Sequence, residues 1–289
     1  MTVTASRLSL NRVAAALPPL GLVLCTAPFI APAFVHAIEV WSTDEEFTYG
    51  FLIPPIALAV VWWRRKALRQ GIGQGSSAGL IIAVVGVMLT LVSRRIEIHA
   101  LGGIAVSPLL FGIAVYLWGW GAGRVLAFPI GFLVFGLGLY RGLLNSLGFA
   151  LQQVTAAGAA WTGQHLGLPV VRDGLILQSP SFAFIVAQTC SGMSSLLSLL
   201  ALGALWVYAT RGPLTGRTAV LLSVLPLVVL ANTTRVTLVL LVASWLGQDA
   251  ALGFFHGASS FVLFGLALCG LLLVSRLVGC RVTGFATAS

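Results

Sequence analysis

Apolar residues run along this chain in long blocks, separated by short polar breaks. Neither the period of two expected of half-buried strands nor a single soluble-type helical stripe dominates. Eight segments read as membrane-spanning, near 14–37, 50–63, 78–93, 100–121, 125–140, 190–209, 218–246 and 256–276. Several fall short of the ~20 residues of an average span, and flanks such as Gly71–Ser77 extend them. The first has Arg7 and Arg12 ahead of it and a cleavage-like Val35-His36-Ala37 end. Its length and its four prolines, Pro18, Pro19, Pro28 and Pro32, favour a span over a signal peptide. The expected fold is an all-α polytopic membrane protein of about eight helices, forming one membrane-embedded domain over residues 1–289.

Two segments between spans are more than plain loops. Residues 38–50 mix acids with aromatics. Residues 141–189 begin with an amphipathic stretch, Asn145 to Leu168, that carries Gln152, Gln153, Thr155, Trp161, Gln164 and His165. Two β-rich runs follow, Leu175–Gln178 and Phe182–Gln188, with turn chemistry at Asp173-Gly174 and Ser179-Pro180-Ser181. A small cap of one amphipathic helix and a short hairpin is predicted here. The spans that follow, over about 190–276, carry the polar residues of interest. No internal repeat is evident, which gives an inverted-repeat transporter no support.

Composition agrees. Of 289 residues, 16 are Lys or Arg and 7 are Asp or Glu, so 8% are charged while 58% are hydrophobic. Mean hydropathy is +1.03. A soluble domain carries roughly 25% charge, and a disordered chain lacks this apolar content. The net charge of +9 raises nucleic acid as a partner. The basic residues, however, sit singly or in the cluster Arg64, Arg65, Lys66 and Arg69 beside an apolar run, where cytoplasmic anchors belong. The lipid bilayer is the expected partner, and nucleic acid is not.

Charge also orients the chain. With the N-terminus inside, the inner loops hold Arg7, Arg12, Arg64, Arg65, Lys66, Arg69, Arg124, Arg211, Arg217, Arg276 and Arg281. All the acids, Glu39, Asp44, Glu45, Glu46, Glu97, Asp173 and Asp249, then fall outside. Both termini are expected in the cytoplasm, with the cap on the outer face.

Polar residues at membrane depth are costly and therefore informative. Cys190 opens a span in the run Gln188-Thr189-Cys190-Ser191-Gly192, and a helix N-terminus lowers a thiol pKa. Cys25 and Cys269 read as packing cysteines, and a packing role is the alternative for Cys190 too. Arg235 lies 17 residues into the segment 218–246, ~26 Å along a helix, near the far edge of a ~30 Å core. Asn232 shares its face. The alternative is an arginine that snorkels to headgroups. His256 opens the last expected span and has an interfacial, inert alternative, as do His36, His99 and His165. Thiol, imidazole and guanidinium at one depth are the inventory of thiol acyl transfer. The chain lacks Cys-x-x-Cys and His-x-x-x-His spacings, so no metal or cofactor is expected. A transporter or export component binding an anionic solute through Arg235 is the competing reading; a non-catalytic assembly scaffold is a third.

Three blocks, Ala187-Gln188-Thr189-Cys190-Ser191-Gly192, Ala231-Asn232-Thr233-Thr234-Arg235-Val236 and His256-Gly257, resemble the signature blocks of the exosortase/archaeosortase family. Glu46 through Pro55, Arg124 through Pro129, and Gly167-Leu168-Pro169-Val170 with Asp173-Gly174 resemble further blocks, so the likeness spans about 38–275. The family often has His before the glycine of its first outer loop, where this chain has Tyr49. The resemblance implies a membrane cysteine endopeptidase-transpeptidase that processes exported proteins. Its substrates would bear a C-terminal Pro-Glu-Pro-type signal, a hydrophobic span and a basic tail. It further implies Cys190 as nucleophile with Arg235 and His256 as partners, and Asn232, Ser191, Gly192, Glu46 and Tyr49 in supporting or substrate-binding places.

Overall fold

The computed structural model describes residues 21, 25–137, 141–186, 193–257 and 259–282. Four helical stretches among them are long and apolar enough to cross a membrane: Glu46–Trp63, Ser77–Ile96, His99–Leu137 and Leu214–Leu246. Met193–Ala209 and Leu263–Leu277 are shorter apolar helices. The chain is a polytopic, all-α membrane protein. It divides into two compact units, Met1–Tyr140 and Arg141–Ser289.

The first unit begins with helix α1 over 25–43; the earlier part of the first expected span lies outside the described residues. The segment 38–50, expected to be more than a plain loop, is helical on both sides of Asp44. α1 runs to residue 43, and Asp44 then caps a 3-10 helix, Glu45–Leu52, by accepting from the Glu46 backbone N–H at 3.1 Å. Asp44, one of the acids of this segment, thus serves as an N-cap. Helices α2 (Ile53–Trp63), α3 (Arg65–Gly71), α4 (Ser77–Ile96), α5 (His99–Phe132) and α6 (Val134–Leu137) follow.

α4 and α5 form an antiparallel hairpin joined through small residues. A Cβ on Gly112 would lie 2.3 Å from the Ala83 backbone nitrogen, so the two backbones touch. Such contact suits helices in lipid, where close packing replaces the hydrophobic drive. The expected spans 100–121 and 125–140 are one helical run interrupted at Gly119, whose φ of 78° and ψ of 178° break the helix. The break fits the chain that precedes α4: Gly73 N–H donates to Trp118 O (3.0 Å) and Ser76 N–H to Val115 O (3.2 Å). A side chain at Gly119 would meet Gln74 O at 2.4 Å, so only glycine fits both the φ and the space.

The second unit is organised around one long helix. Its elements are α7 (Arg141–His165), β1 (Val171–Asp173), β2 (Ile176–Ser179), β3 (Phe182–Ile185), α8 (Met193–Ala209), β4 (Thr210–Arg211), α9 (Leu214–Leu246), α10 (Gln248–Gly257), α11 (Ser259–Leu277) and β5 (Arg281–Val282). The expected amphipathic helix is present as α7, a few residues earlier than its polar pattern indicated. The expected hairpin is a three-stranded antiparallel sheet ordered β1-β2-β3, with Asp173 paired to Ile176 and Ser179 to Phe182. β1 went unread because all three of its residues are exposed, leaving no alternation to detect.

α9 is ~50 Å long at 1.5 Å per residue, well beyond a ~30 Å hydrocarbon core. Its two halves serve different clusters. Val220, Val224, Val228 and Ala231 pack with α8, α11 and Leu151 of α7. Val236, Val239, Leu240 and Ala243 pack with the sheet, with α10 through Ala251, and with the alanines of α7. At the first end, β4 pairs with β5 and Trp206 Nε1 donates to Ser275 Oγ at 2.8 Å. Arg211, Arg217, Arg276 and Arg281 belong to that same end. Cys280 is buried there under Gly212 and Gly216.

Candidate functional site

The changeover between the two clusters falls at residues 231–236, within the block Ala-Asn-Thr-Thr-Arg-Val. An apolar stripe at helical spacing reaches Ala231, and the next positions on that face are Asn232 and Arg235. Asn232 is fully buried and Arg235 is 7% exposed. Asn232 Nδ2 donates to Thr155 Oγ1 of α7 at 3.0 Å. Thr155 marks the same changeover on its own helix, since Leu151 joins one cluster and Ala156 the other. A layer of buried polar groups thus separates two apolar layers where α7 crosses α9.

The helices meet closely there. A Cβ on Gly158 would lie 2.9 Å from Thr233 Cγ2 and 3.0 Å from its Oγ1. Gly158, one turn beyond Thr155, brings α7 near enough for the Thr155–Asn232 bond. The hydroxyls of Thr234 and Thr237 turn back to the carbonyls of Leu230 and Thr233, both at 2.9 Å. Gln152, at 7% exposure, extends the polar face of α7. Sequence reading placed Gln152 and Thr155 on this helix without assigning them to the site. The available signal was Thr155-x-x-Gly158, a polar residue and a glycine on one face.

The sheet is held to α7 by two side chains. Gln164 Nε2 donates to Val170 O at 2.9 Å, and Arg172 bonds both Gln153 Oε1 and its own turn at Gly174 O. Val186, which follows β3, is buried in the cluster of Val236 and Val239, and its N–H donates to Leu175 O at 2.9 Å. Met193, first residue of α8, is buried in the cluster of Ala231 and Val228. Val186 and Met193 thus belong to the clusters on opposite sides of the polar layer. Cys190, Ser191 and Gly192 lie outside the described residues.

His256 falls in the last turn of α10 rather than at the start of the final span. Gly247, with φ 90°, ends α9, and Asp249 sits in the first turn of α10, where a carboxylate is favoured. The residues between α9 and the final expected span thus form a helix of their own. α10 packs on α9 through fully buried Ala251.

Glu46 and Tyr49 belong to the first unit. Both lie on the 3-10 helix, where Tyr49 Oη donates to Phe135 O at 3.1 Å. Beside it, Trp41 Nε1 donates to Gly136 O at 3.1 Å, with its indole against Gly50. Tyr49 thus anchors the 3-10 helix to the end of α6. Cys25 and Cys269 are exposed on their helices and Cys280 is buried; all three are free thiols.

Residues 41–273 match the family model described as transmembrane exosortase (Exosortase_EpsH). The chain belongs to the transmembrane exosortase family. The match covers the 3-10 helix, the α4–α5 hairpin, the sheet and the polar layer on α9. It makes the protein a member of a family of sorting-related membrane enzymes. Neither a curated protein nor a solved structure matches the chain.

Proposed function

We propose that this exosortase-family protein is a cysteine endopeptidase-transpeptidase that cleaves the C-terminal sorting signals of exported proteins at the outer face of the bacterial inner membrane. Its substrates carry a Pro-Glu-Pro-type motif, a hydrophobic span and a basic tail. The observation that carries this reading is the buried Arg235 beside the Asn232–Thr155 pair, near the middle of a long helix. A guanidinium held at such a layer has a task beyond anchoring. The flanks of the Cys190 segment, Val186 and Met193, dock in the clusters on either side of it, which supports Cys190 as its neighbour.

In this reading Cys190 attacks the scissile carbonyl as a thiolate, its proton having passed to His256. The carbonyl oxygen becomes an oxyanion that Arg235 stabilises through its planar fork of N–H donors. Collapse breaks the C–N bond, and the imidazolium returns the proton to the leaving amine, freeing the tail peptide. A thioester joins the substrate to Cys190 until an incoming water or amine attacks it and restores the thiol. Asn232 holds its helix against α7 and so fixes the height of Arg235. Ser191 and Gly192 flank the nucleophile, and Glu46 and Tyr49 contribute to substrate binding. All eight spans then cross the membrane with both termini in the cytoplasm, and 1–289 acts as a single domain with its cap, about 141–189, outside.

The test is a secreted reporter ending in such a tail, co-expressed with the protein. Cleavage at the signal is expected, with loss of the basic tail. A reporter that stays full length while the protein accumulates in the membrane overturns the proposal.

A further inference from the structure

In the first unit, α1 lies along the α4–α5 hairpin, and the seam between them holds two clefts of opposite character. One is polar, about 50 Å³, with His36, His99 and Arg94 around Thr90 and Ser93. The other is apolar, about 120 Å³, between Leu80, Val84 and Val87 of α4 and Leu109 and Ile113 of α5. They abut end to end. On α4 the rim residues Val87 and Thr90 are three positions apart, and on α1 so are Thr26 and Phe29, ~4.5 Å along each helix.

The polar cleft is built for an anion. Pro32 has no N–H, so the Pro28 carbonyl loses its partner within α1, and Arg94 Nη2 donates to that oxygen at 2.6 Å. This bond fixes the guanidinium over the seam, where its fork offers further donors. The His36 and His99 rings stack with centroids 4.3 Å apart and planes 32° from parallel. Among the described residues no carboxylate lines the cleft, and the nearest in sequence, Glu39 and Glu97, are both exposed. Stacked ring faces do not converge their nitrogens as metal ligands would, and the described residues contain no cluster of three metal-ligating side chains.

Depth identifies the source of the anion. α4 has 20 residues, or ~30 Å, the thickness of the hydrocarbon core. Arg94 near its end is at headgroup level, and Leu80–Val87 lie at acyl-chain level. We propose that this seam binds one anionic phospholipid, with its phosphate among Arg94, His36 and His99 and an acyl chain in the apolar cleft. The site is independent of the peptidase reading.

The test titrates the purified full-length protein in detergent with phosphatidylglycerol, phosphatidylcholine or inorganic phosphate, and reads retained ligand by native mass spectrometry. The wild type should retain one phosphatidylglycerol in preference to phosphatidylcholine. Affinity should fall at least about tenfold, ~1.4 kcal/mol, in the double variant His36→Gln/His99→Gln and also in Val84→Phe, which fills the apolar cleft. Leu222→Phe, on an exposed face of α9, should bind as the wild type does and controls for general lipid adhesion. Unchanged binding by the double variant, or equal retention of phosphatidylcholine, overturns the proposal. Inorganic phosphate binding as tightly as the lipid, with no effect of Val84→Phe, also overturns it in favour of a free-phosphate site.

Discussion

Asn232 of α9 donates a 3.0 Å hydrogen bond to Thr155 of α7, across 77 positions of sequence, with both side chains buried. The bond lies one turn from Arg235 on the same helix face, so it couples the sheet-bearing helix to the height of the guanidinium. Thr155→Val keeps the shape and removes the acceptor. Removing the acceptor of a buried amide costs about 1–3 kcal/mol in a soluble core and about 1 kcal/mol among membrane helices. The variant should melt roughly 2–4 °C lower per kcal/mol. A cycle with Asn232→Ala should return a coupling energy above about 0.5 kcal/mol; strict additivity would show that the bond contributes nothing.

Gly158 gives a test whose sign changes with its partner. Alanine in a helix interior is favoured over glycine by about 1 kcal/mol, but here its Cβ would lie 2.9 Å from Thr233 Cγ2. Thr is stiff at χ1, so overpacking of about 1–3 kcal/mol should prevail. Gly158→Ala should lower the melting temperature in the wild type and raise it when Thr233 is already Ala. Stabilisation in both backgrounds would mean that α7 and α9 are not in close contact.

Arg235→Lys separates a guanidinium that acts on substrate from one that anchors. Lysine keeps the charge and loses the paired donors. Processing of a tail-signal reporter should fall about 10²-fold or more, the scale of one lost oxyanion donor, while the protein still inserts and accumulates. Near-normal cleavage would reduce Arg235 to an anchor and equally weaken the transporter alternative.

These expectations rest on residues that differed in legibility. Arg235 and Asn232 stood out in the sequence because a charge and an amide interrupt a long apolar run. α7 and two of the strands were readable from polar periodicity and turn residues. The third strand was not, since Val171–Asp173 is exposed throughout and is held by Gln153 and Gln164 of α7 rather than by burial. The helix carrying His256 was hidden because residues 248–257 are too few for periodicity to separate them from the following span. The break at Gly119 was not located, since it falls inside the expected span 100–121, short of the gap before 125. Its cause, the passage of residues 73–76 alongside 115–118, is a long-range contact that no local pattern encodes.

Thiol accessibility checks the sidedness of the chain. Cys190 is expected outside and Cys280 inside, with Cys280 also buried beneath Gly212 and Gly216. Cys25 and Cys269 are exposed on α1 and α11, which are expected to lie in lipid. A membrane-impermeant maleimide on intact spheroplasts should modify Cys190 ahead of the other three. Equal labelling of all four would contradict the assigned topology.

The most direct measurement of the central claim is reporter cleavage by membranes carrying Cys190→Ala, matched in protein level to the wild type. The thiol supplies the bond-forming atom, so cleavage should fall to the uncatalysed background, with Cys190→Ser and His256→Gln reduced at least about 10²-fold. Cleavage by Cys190→Ala at the wild-type rate would contradict the account.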